Sequence, residues 1–264
     1  MAYTSAYTEH YQQQGKSGKS YDRSLANRFE LAIFQLEHVI LRDLFERLRS
    51  SDPNTTYLDF ACGTGRIIAV FKDLIRTKVG VDTSEGQLAV AREKVSDAEF
   101  IQGNLVANPE LLGGRRFDFI TSFRLLLNLE AENRVPILRA LRDVLAPDGY
   151  LIVDNHMNRY SFLGLTALFA HKVLRVPKKP RVPPGRRGII STMSEAEMRR
   201  ALAEAGLQVD EVHRIFVLPG HNALQLLPTR WLVPIEAFLS RVPVANRLSK
   251  NQIYVCRGTQ PTPS

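Results

Sequence analysis

The sequence predicts an α/β fold built on a doubly wound, mostly parallel sheet of seven strands. Short runs of apolar and β-branched residues recur seven times, and segments with helical periodicity lie between most of them. Strands that alternate with helices indicate parallel pairing, because a parallel crossover needs a connection about as long as a helix. A length of 264 residues with 44% hydrophobic residues provides enough apolar surface for one large domain or two small ones.

The elements can be assigned in chain order from these patterns. A long amphipathic helix is predicted over Leu25–Leu48, where apolar residues recur at helical spacing until Ser51-Asp52-Pro53 ends it. The predicted strands are Thr56–Phe60, Lys78–Val81, Glu99–Gln102, Phe117–Ser122, Tyr150–Asp154, Gln208–Val217 and Gln252–Arg257. The further predicted helices are Arg66–Arg76, Glu85–Val95, Asn133–Leu145 and Ser194–Ala205.

Local signals fix some of these boundaries. Ser194 and Glu197 have the spacing of a capping box, which predicts a helix start, and Gly206 stands where a helix C-cap glycine is expected. The tetrapeptide 146–149, Ala-Pro-Asp-Gly, predicts a turn before the fifth strand.

We predict a division into residues 1–50, an N-terminal helical lid and helix, and residues 51–264, the sheet domain. Two long connections, 155–193 and 218–251, interrupt the alternation of strands and helices. Both leave from the carboxyl ends of strands, the edge at which open parallel sheets bind ligands. These insertions are therefore expected to cap the active site.

Composition excludes several classes of protein. The 23% charged residues and mean hydropathy of −0.15 are typical of a folded soluble chain and not of a disordered or collagen-like one. Cys62 and Cys256 are too few for a zinc site of their own, and no metal is expected. No secretory signal and no apolar run of about 18 residues is found. A cytoplasmic protein is predicted, with attachment to a membrane surface as the alternative.

The segment between the first predicted strand and its helix carries the chemistry. It reads Tyr57-Leu-Asp-Phe-Ala-Cys-Gly-Thr-Gly-Arg66, and its small residues allow a sharp turn with backbone amides close to a ligand. Asp82 ends the second strand, where a carboxylate can accept hydrogen bonds from both hydroxyls of a ribose. A nicotinamide dinucleotide is the weaker interpretation, because Ile68 stands where the third glycine of that fingerprint would fall.

Residues 55–155 resemble the class I S-adenosylmethionine-dependent methyltransferases, whose fold is Rossmann-like. Residues 59–65, Asp-Phe-Ala-Cys-Gly-Thr-Gly, are similar to the first motif of that family, with Ala61 where glycine is commoner. Residues 117–124 are similar to its fourth strand, and residues 145–149 to the turn before its fifth. The resemblance implies S-adenosyl-L-methionine as cofactor and transfer of its methyl group.

The resemblance also implies a set of cofactor-binding residues. Asp59 would face the methionine part, Asp82 the ribose, Thr83 the adenosine, and Asn104 the adenine amino group. The full set is Tyr21, Arg28, Asp59, Ala61, Gly63, Gly65, Asp82, Thr83, Gly103, Asn104, Leu105 and Phe123. Asn104 stands where the family more often has aspartate, but its side-chain oxygen can still accept a hydrogen bond.

Candidate catalytic residues follow the fourth and fifth strands. His156 is a candidate general base for a hydroxyl acceptor, and the alternative is a packed loop histidine. Arg124 is a candidate for substrate contact, and the alternative is a structural role at a helix start. His221, in the second insertion, is a weaker candidate base.

The excess of basic residues that gives the net charge of +8 lies mostly in one segment. Residues 172–188 hold seven basic residues and no acidic one, and the rest of the chain is close to balance. The segment is either a solvated loop or a contact for an anionic partner. No aromatic residue lies within it and apolar stretches flank it, which favours a small-molecule or lipid-linked anionic acceptor, or peripheral membrane contact, over nucleic acid. The alternative is that the flanking apolar stretches fold onto each other as ordinary core.

The leading hypothesis is therefore O-methylation of a small-molecule, sugar or lipid-linked acceptor by in-line transfer. An RNA methyltransferase that uses residues 172–188 is one alternative. A non-catalytic partner protein with the same fold is the other.

Overall fold

The computed structural model describes residues 28–162, 164–166, 169, 192–217 and 229–259. Seven strands form one sheet, as the sequence predicted. They are β1 (Thr56–Phe60), β2 (Thr77–Asp82), β3 (Glu99–Gln102), β4 (Phe117–Ser122), β5 (Leu145–Asn155), β6 (Leu207–Ile215) and β7 (Asn251–Gly258).

The spatial order of the strands is β3-β2-β1-β4-β5-β7-β6. The first five strands pair in parallel, and β7 is antiparallel to both β5 and β6. Because β7 opposes both neighbours, β6 runs in the same direction as β5. The carboxyl ends of six strands therefore share one edge, which confirms the doubly wound, mostly parallel sheet.

Six α-helices have described bounds: α1 (Arg28–Arg49), α2 (Glu85–Lys94), α3 (Ala131–Asp143), α4 (Glu195–Glu204), α5 (Thr229–Leu239) and α6 (Pro243–Asn246). The predicted capping box is present at the start of α4, where Ser194 Oγ accepts from Glu197 N at 3.2 Å and Glu197 Oε2 accepts from Ser194 N at 2.7 Å. Gly206 has φ +76° after its end, as a C-cap glycine requires.

Several predicted bounds were wrong, among them the end of the strand expected over Gln208–Val217, which the structure places at Ile215. The helix expected over Arg66–Arg76 is a short 3₁₀ helix over Ile68–Phe71 within turns, in a stretch where four β-branched residues lower helix propensity. The helix expected over Asn133–Leu145 begins and ends two residues earlier. The predicted turn at 146–149 lies inside β5, because Leu145 already pairs with Phe117 of β4 across a register shift.

The core lies on both faces of the sheet. Leu58 and Tyr57 of β1 belong to different clusters, because successive side chains of a strand point to opposite faces. One cluster is covered by α3 and α4, and the other by α1 and the first 3₁₀ helix. In the second cluster, the rings of Phe45, Tyr57, Phe71 and Phe119 pack with centroids 4.8 to 6.0 Å apart. This packing fixes the start of β1, the strand that leads into residues 61–65, which we call the glycine-bearing turn.

The predicted N-terminal lid, the basic segment 172–188 and His221 lie outside the described residues. The domain boundaries at 50 and 51 stay predictions. Among the described helices, none is both long and apolar enough to cross a bilayer.

Candidate active site

An open crevice lies at the carboxyl ends of β1, β2 and β4. This is the edge at which open α/β sheets bind ligands. Its wall contains eight of the twelve predicted cofactor-binding residues: Asp59, Ala61, Gly63, Asp82, Thr83, Gly103, Asn104 and Phe123. Arg124, a predicted catalytic residue, also lines it.

The glycine-bearing turn forms the floor of the crevice. Cys62 N donates to Val81 O at 3.0 Å, which joins the turn to β2. Gly63 and Gly65 have φ of +55° and +74°, a region that favours glycine. A Cβ on Gly63 would lie 2.7 Å from Gln87 Oε1, and one on Gly65 would lie 3.0 Å from Ala91 Cβ. The missing side chains therefore open a cradle at Gly63 and let α2 pack closely at Gly65.

The Asp82 carboxylate stands at the far side of this turn, and two backbone amides fix it. Gly63 N donates to its Oδ2 at 2.8 Å, and Ser84 N donates to its Oδ1 at 2.9 Å. Burial raises the pKa of Asp82 above its ordinary value, and these two hydrogen bonds oppose that shift. Each carboxylate oxygen can accept more than one hydrogen bond. Asp82 can therefore hold the turn and still receive hydroxyl groups from the crevice.

Asp59 lines the crevice, but its carboxylate is also part of the fold. Its Oδ2 accepts from Ile68 N at 3.0 Å, and its Oδ1 accepts from Thr121 Oγ1 at 2.9 Å. Thr121 Oγ1 lies 2.6 Å from Tyr57 OH, which links the site to the aromatic core. Burial raises the pKa of Asp59 to about 7. Asp59 thus positions the start of the 3₁₀ helix as well as contributing to the wall.

Four predicted cofactor residues are not on the described wall. Leu105 is 2% exposed and packs in the core, and Gly65 contacts α2. Tyr21 lies outside the described residues, and only the backbone of Arg28, at the start of α1, is described.

Arg124 and Arg66 form a cationic wall beyond the turn. Arg124 adopts φ +58°, unusual for a residue with a side chain, and two side chains hold it there. Its N donates to Asp154 Oδ1 at 2.6 Å, and its O accepts from Asn128 Nδ2 at 2.6 Å. Arg66 Nη1 donates to the buried Glu37 Oε2 at 2.7 Å. Strained backbone held by specific partners is typical of functional sites.

His156 lies behind this wall and does not line the crevice. It is 8% exposed, and its Nδ1 lies 3.1 Å from Asn251 Nδ2. Burial and the charges of Arg124, Lys250 and Arg66 lower its pKa well below the ordinary value. The geometry therefore favours a packed histidine over the predicted general base.

Glu37, Asp154 and His156 place one potential metal ligand each within 4.8 Å of one another. Arg66 is bonded to Glu37, and the charges of Arg66 and Arg124 both act on Asp154. Burial and Glu37 raise the pKa of Asp154 to about 7. Arg66 forms an ion pair with Glu37, and Asp154 accepts from the backbone N of Arg124, so protein groups already hold both carboxylates.

Sequence reasoning missed several residues of the wall. Gln87 faces the turn from α2, and its signal was a polar residue on the apolar face of a predicted helix. Arg66 follows the turn directly, but its approach to Glu37 could not be read from local sequence. Leu125, Leu129 and Ile137 add an apolar part to the wall.

Comparisons with known proteins agree with this geometry. Residues 58–149 match a family described as a methyltransferase domain. The ubiquinone biosynthesis O-methyltransferase of Dinoroseobacter shibae is 28% identical over 178 residues, which cover 64% of this chain and 67% of that protein. A putative methyltransferase of a Geobacillus species is 36% identical over 106 residues, or 38% of this chain and 41% of that one.

The fold is also found among solved structures. Magnesium protoporphyrin IX methyltransferase from Synechocystis PCC 6803, solved with bound SAH, aligns with a TM-score of 0.62 at 15% identity and covers 95% of this chain and 98% of its own. With the domain match and the glycine-bearing crevice, the conclusion follows. Residues 58–149 form a methyltransferase domain, and the matches together support an enzyme dependent on S-adenosyl-L-methionine with a Rossmann-like fold.

Proposed function

We propose that this methyltransferase modifies an oxygen atom of a small organic acceptor, and that this oxygen belongs to an acidic group such as a phenol or a carboxylic acid. The observation that carries the proposal is the wall at the acceptor end of the crevice. It combines the Arg66 and Arg124 side chains with apolar Phe123, Leu125 and Leu129. An apolar body with one anionic oxygen is complementary to such a wall.

The residues at the other end fit the cofactor. The cradle at Gly63, the Asp82 carboxylate and the polar Asn104 side chain would hold its sulfonium-bearing chain, ribose and adenine in that order. When bound, S-adenosyl-L-methionine supplies an electrophilic methyl group. The protein contributes alignment and the exclusion of water from a crevice with apolar walls.

The proton of the acceptor determines what else the protein must do. Within the described part of the wall there is no histidine, and the Asp59 and Asp82 carboxylates are engaged by backbone amides. A carboxylic acid has already lost its proton to water at neutral pH, and a nearby guanidinium group lowers the pKa of a phenol toward that range. We therefore assign Arg124 to binding and ionising the acceptor, without a dedicated base, since the Arg66 guanidinium is already paired with Glu37.

The names of the relatives are consistent with an organic acceptor. One is a ubiquinone biosynthesis O-methyltransferase, and another is a magnesium protoporphyrin IX methyltransferase. A lipid-linked acceptor remains compatible with the same apolar wall. An RNA acceptor finds no support among the described wall residues, in which apolar side chains surround the cations.

The test is a methyl-transfer assay with labelled cofactor and a panel of phenols, benzoic acids and alkyl alcohols. We expect transfer to phenols or acids and not to alcohols. Arg124→Leu should move the acid limb of the kcat/KM profile for a phenol upward by about one pH unit, and Arg124→Lys should restore part of it. Transfer to alcohols that His156→Gln abolishes would overturn the proposal and restore a histidine base.

The cofactor half of the proposal is tested separately by calorimetry. Asp82→Asn should weaken binding of S-adenosyl-L-methionine by about 10- to 100-fold, because charge-assisted hydrogen bonds to the ribose are lost. Asp148→Asn is the matched control, since Asp148 is exposed at the amino-terminal edge of β5 and should leave affinity unchanged. Equal affinities for both variants would remove Asp82 from the site.

A further inference from the structure

Two helical segments carry large apolar side chains that face solvent. On α5, Trp231, Ile235 and Phe238 are 58%, 39% and 67% exposed, at spacings of four and three residues. The second segment carries Phe162, Leu165 and Phe169, which are 43%, 41% and 57% exposed, at spacings of three and four. Each spacing places its three residues on one helical face. We call these faces the two apolar stripes.

The two stripes are tied to the same part of the molecule. Phe162 N donates to Leu248 O at 3.0 Å, and Asn158 N donates to Lys250 O at 2.8 Å. Leu248 and Lys250 lie in the loop that follows α6, and α6 follows α5 after a short turn. Phe162, the first residue of one stripe, is therefore hydrogen-bonded to the segment that follows the helix carrying the other stripe.

The exposed charges on the chain that carries the α5 stripe have one sign. Over residues 229–250 the exposed charged side chains are Arg230, Arg241 and Arg247. The one acidic residue there, Glu236, is buried, and its Oε2 accepts from Val217 N at 2.8 Å. In sequence, the acid-free segment 172–188 with its seven basic residues begins three residues after Phe169. Apolar side chains with cations on the same segment of chain are complementary to a surface that is apolar inside and negative outside.

We propose that the two apolar stripes dock this protein onto a lipid bilayer whose surface carries anionic phospholipids. Phe, Leu and Ile side chains gain nothing from a nucleic-acid backbone, but they are stabilised at the boundary between headgroups and acyl chains. Trp231 suits the same boundary, because its ring is apolar and its N–H is a hydrogen-bond donor. The contact is peripheral, and it is independent of the proposed acceptor.

The full-length protein supplies its own probe, because Trp231 is its one tryptophan. We expect the protein to sediment with vesicles of phosphatidylcholine mixed with phosphatidylglycerol, and not with phosphatidylcholine alone. Binding should shift Trp231 emission to shorter wavelength, and brominated phospholipids should quench it. Salt should weaken binding, because the cations contribute to it.

Matched variants separate the two contributions. Phe238→Ser should lower the partition coefficient roughly tenfold or more, because a buried aromatic ring is lost. Arg241→Gln should weaken binding, and Arg200→Gln, an exposed arginine on α4, should not. Each variant is checked for unchanged affinity for S-adenosyl-L-methionine, which shows that it is folded.

Three results would overturn the inference. They are no sedimentation with anionic vesicles, sedimentation without a shift of Trp231 emission, and binding to polyuridylate in place of vesicles. Methyl transfer to a soluble phenol is measured without vesicles, so failure of docking leaves the proposed function standing.

Discussion

Replacing Gly65 by alanine tests how closely the glycine-bearing turn packs on α2. The residue has φ +74°, and a Cβ there would lie 3.0 Å from Ala91 Cβ and 3.1 Å from Ala91 Cα. Both neighbouring atoms are part of or next to the helix backbone, so the helix itself must move. Two separate costs are therefore expected for Gly65→Ala.

Gly114→Ala separates these costs. Gly114 has φ +71°, almost the same backbone conformation, but no atom lies within 4 Å of its added Cβ. The left-handed conformation alone costs about 1–2 kcal/mol for an alanine. Overpacking adds about 1–3 kcal/mol at Gly65. We expect losses in the free energy of unfolding of about 1–2 kcal/mol for Gly114→Ala and about 2–5 kcal/mol for Gly65→Ala.

The assay is urea unfolding followed by circular dichroism, with calorimetry for the cofactor. Movement of α2 also displaces Gln87, which lines the crevice, so Gly65→Ala should weaken cofactor binding and Gly114→Ala should not. Equal losses of stability in the two variants would show that the approach of α2 is not limiting. Unchanged affinity in a destabilised Gly65→Ala protein would show that the turn and the crevice are not mechanically linked.

Three further predictions follow from the described contacts. Ser194→Ala should lower stability by about 1 kcal/mol, because its hydroxyl caps α4, and Ser84→Ala, at a helix start without a side-chain cap, should lower it less in the same urea assay. The pKa of Asp59 is about 7 in the folded protein and about 3.8 in the unfolded chain, so its contribution to the free energy of unfolding falls as pH rises between these values. Asp59→Asn should flatten that part of the plot of stability against pH. An unchanged slope would contradict the raised pKa. Glu37→Gln should lower the free energy of unfolding by about 3 kcal/mol, because it leaves the Arg66 charge unpaired. Adding Arg66→Met should recover part of that loss. Additive losses in the double variant would show that the two residues are not coupled.

The parts of the fold that local sequence determines were predicted well. The bounds of β3 and β4 match the predicted runs, because short apolar segments flanked by turn residues are strong strand signals. The predicted turn at 146–149 failed for the opposite reason. Its Pro-Asp-Gly sequence favours a turn, but pairing with β4 is a long-range contact that keeps these residues in the sheet.

In the candidate site, too, the residues placed by local sequence were predicted and those placed by long-range contacts were not. Gly63 and Asp82 lie together on the wall because a motif and a strand end, both local patterns, place them there. The position of His156 could not be predicted, because it depends on Asn251, which is 95 residues away in sequence. Arg124 was identified as a candidate, but its left-handed backbone depends on the Asp154 carboxylate from the next strand.

The position of β7 between β5 and β6 has a consequence for synthesis on the ribosome. Strand β6 pairs with no strand but β7 in the described sheet, and β7 comes more than thirty residues later in the chain. Until residues 251–258 have emerged, the nascent chain presents the open edge of β5 and a solitary β6. Unpaired edges of this kind invite intermolecular pairing. Yield in cells should therefore depend on chaperones that shield the growing polypeptide, and a ribosome stalled shortly before residue 251 would expose its most aggregation-prone intermediate.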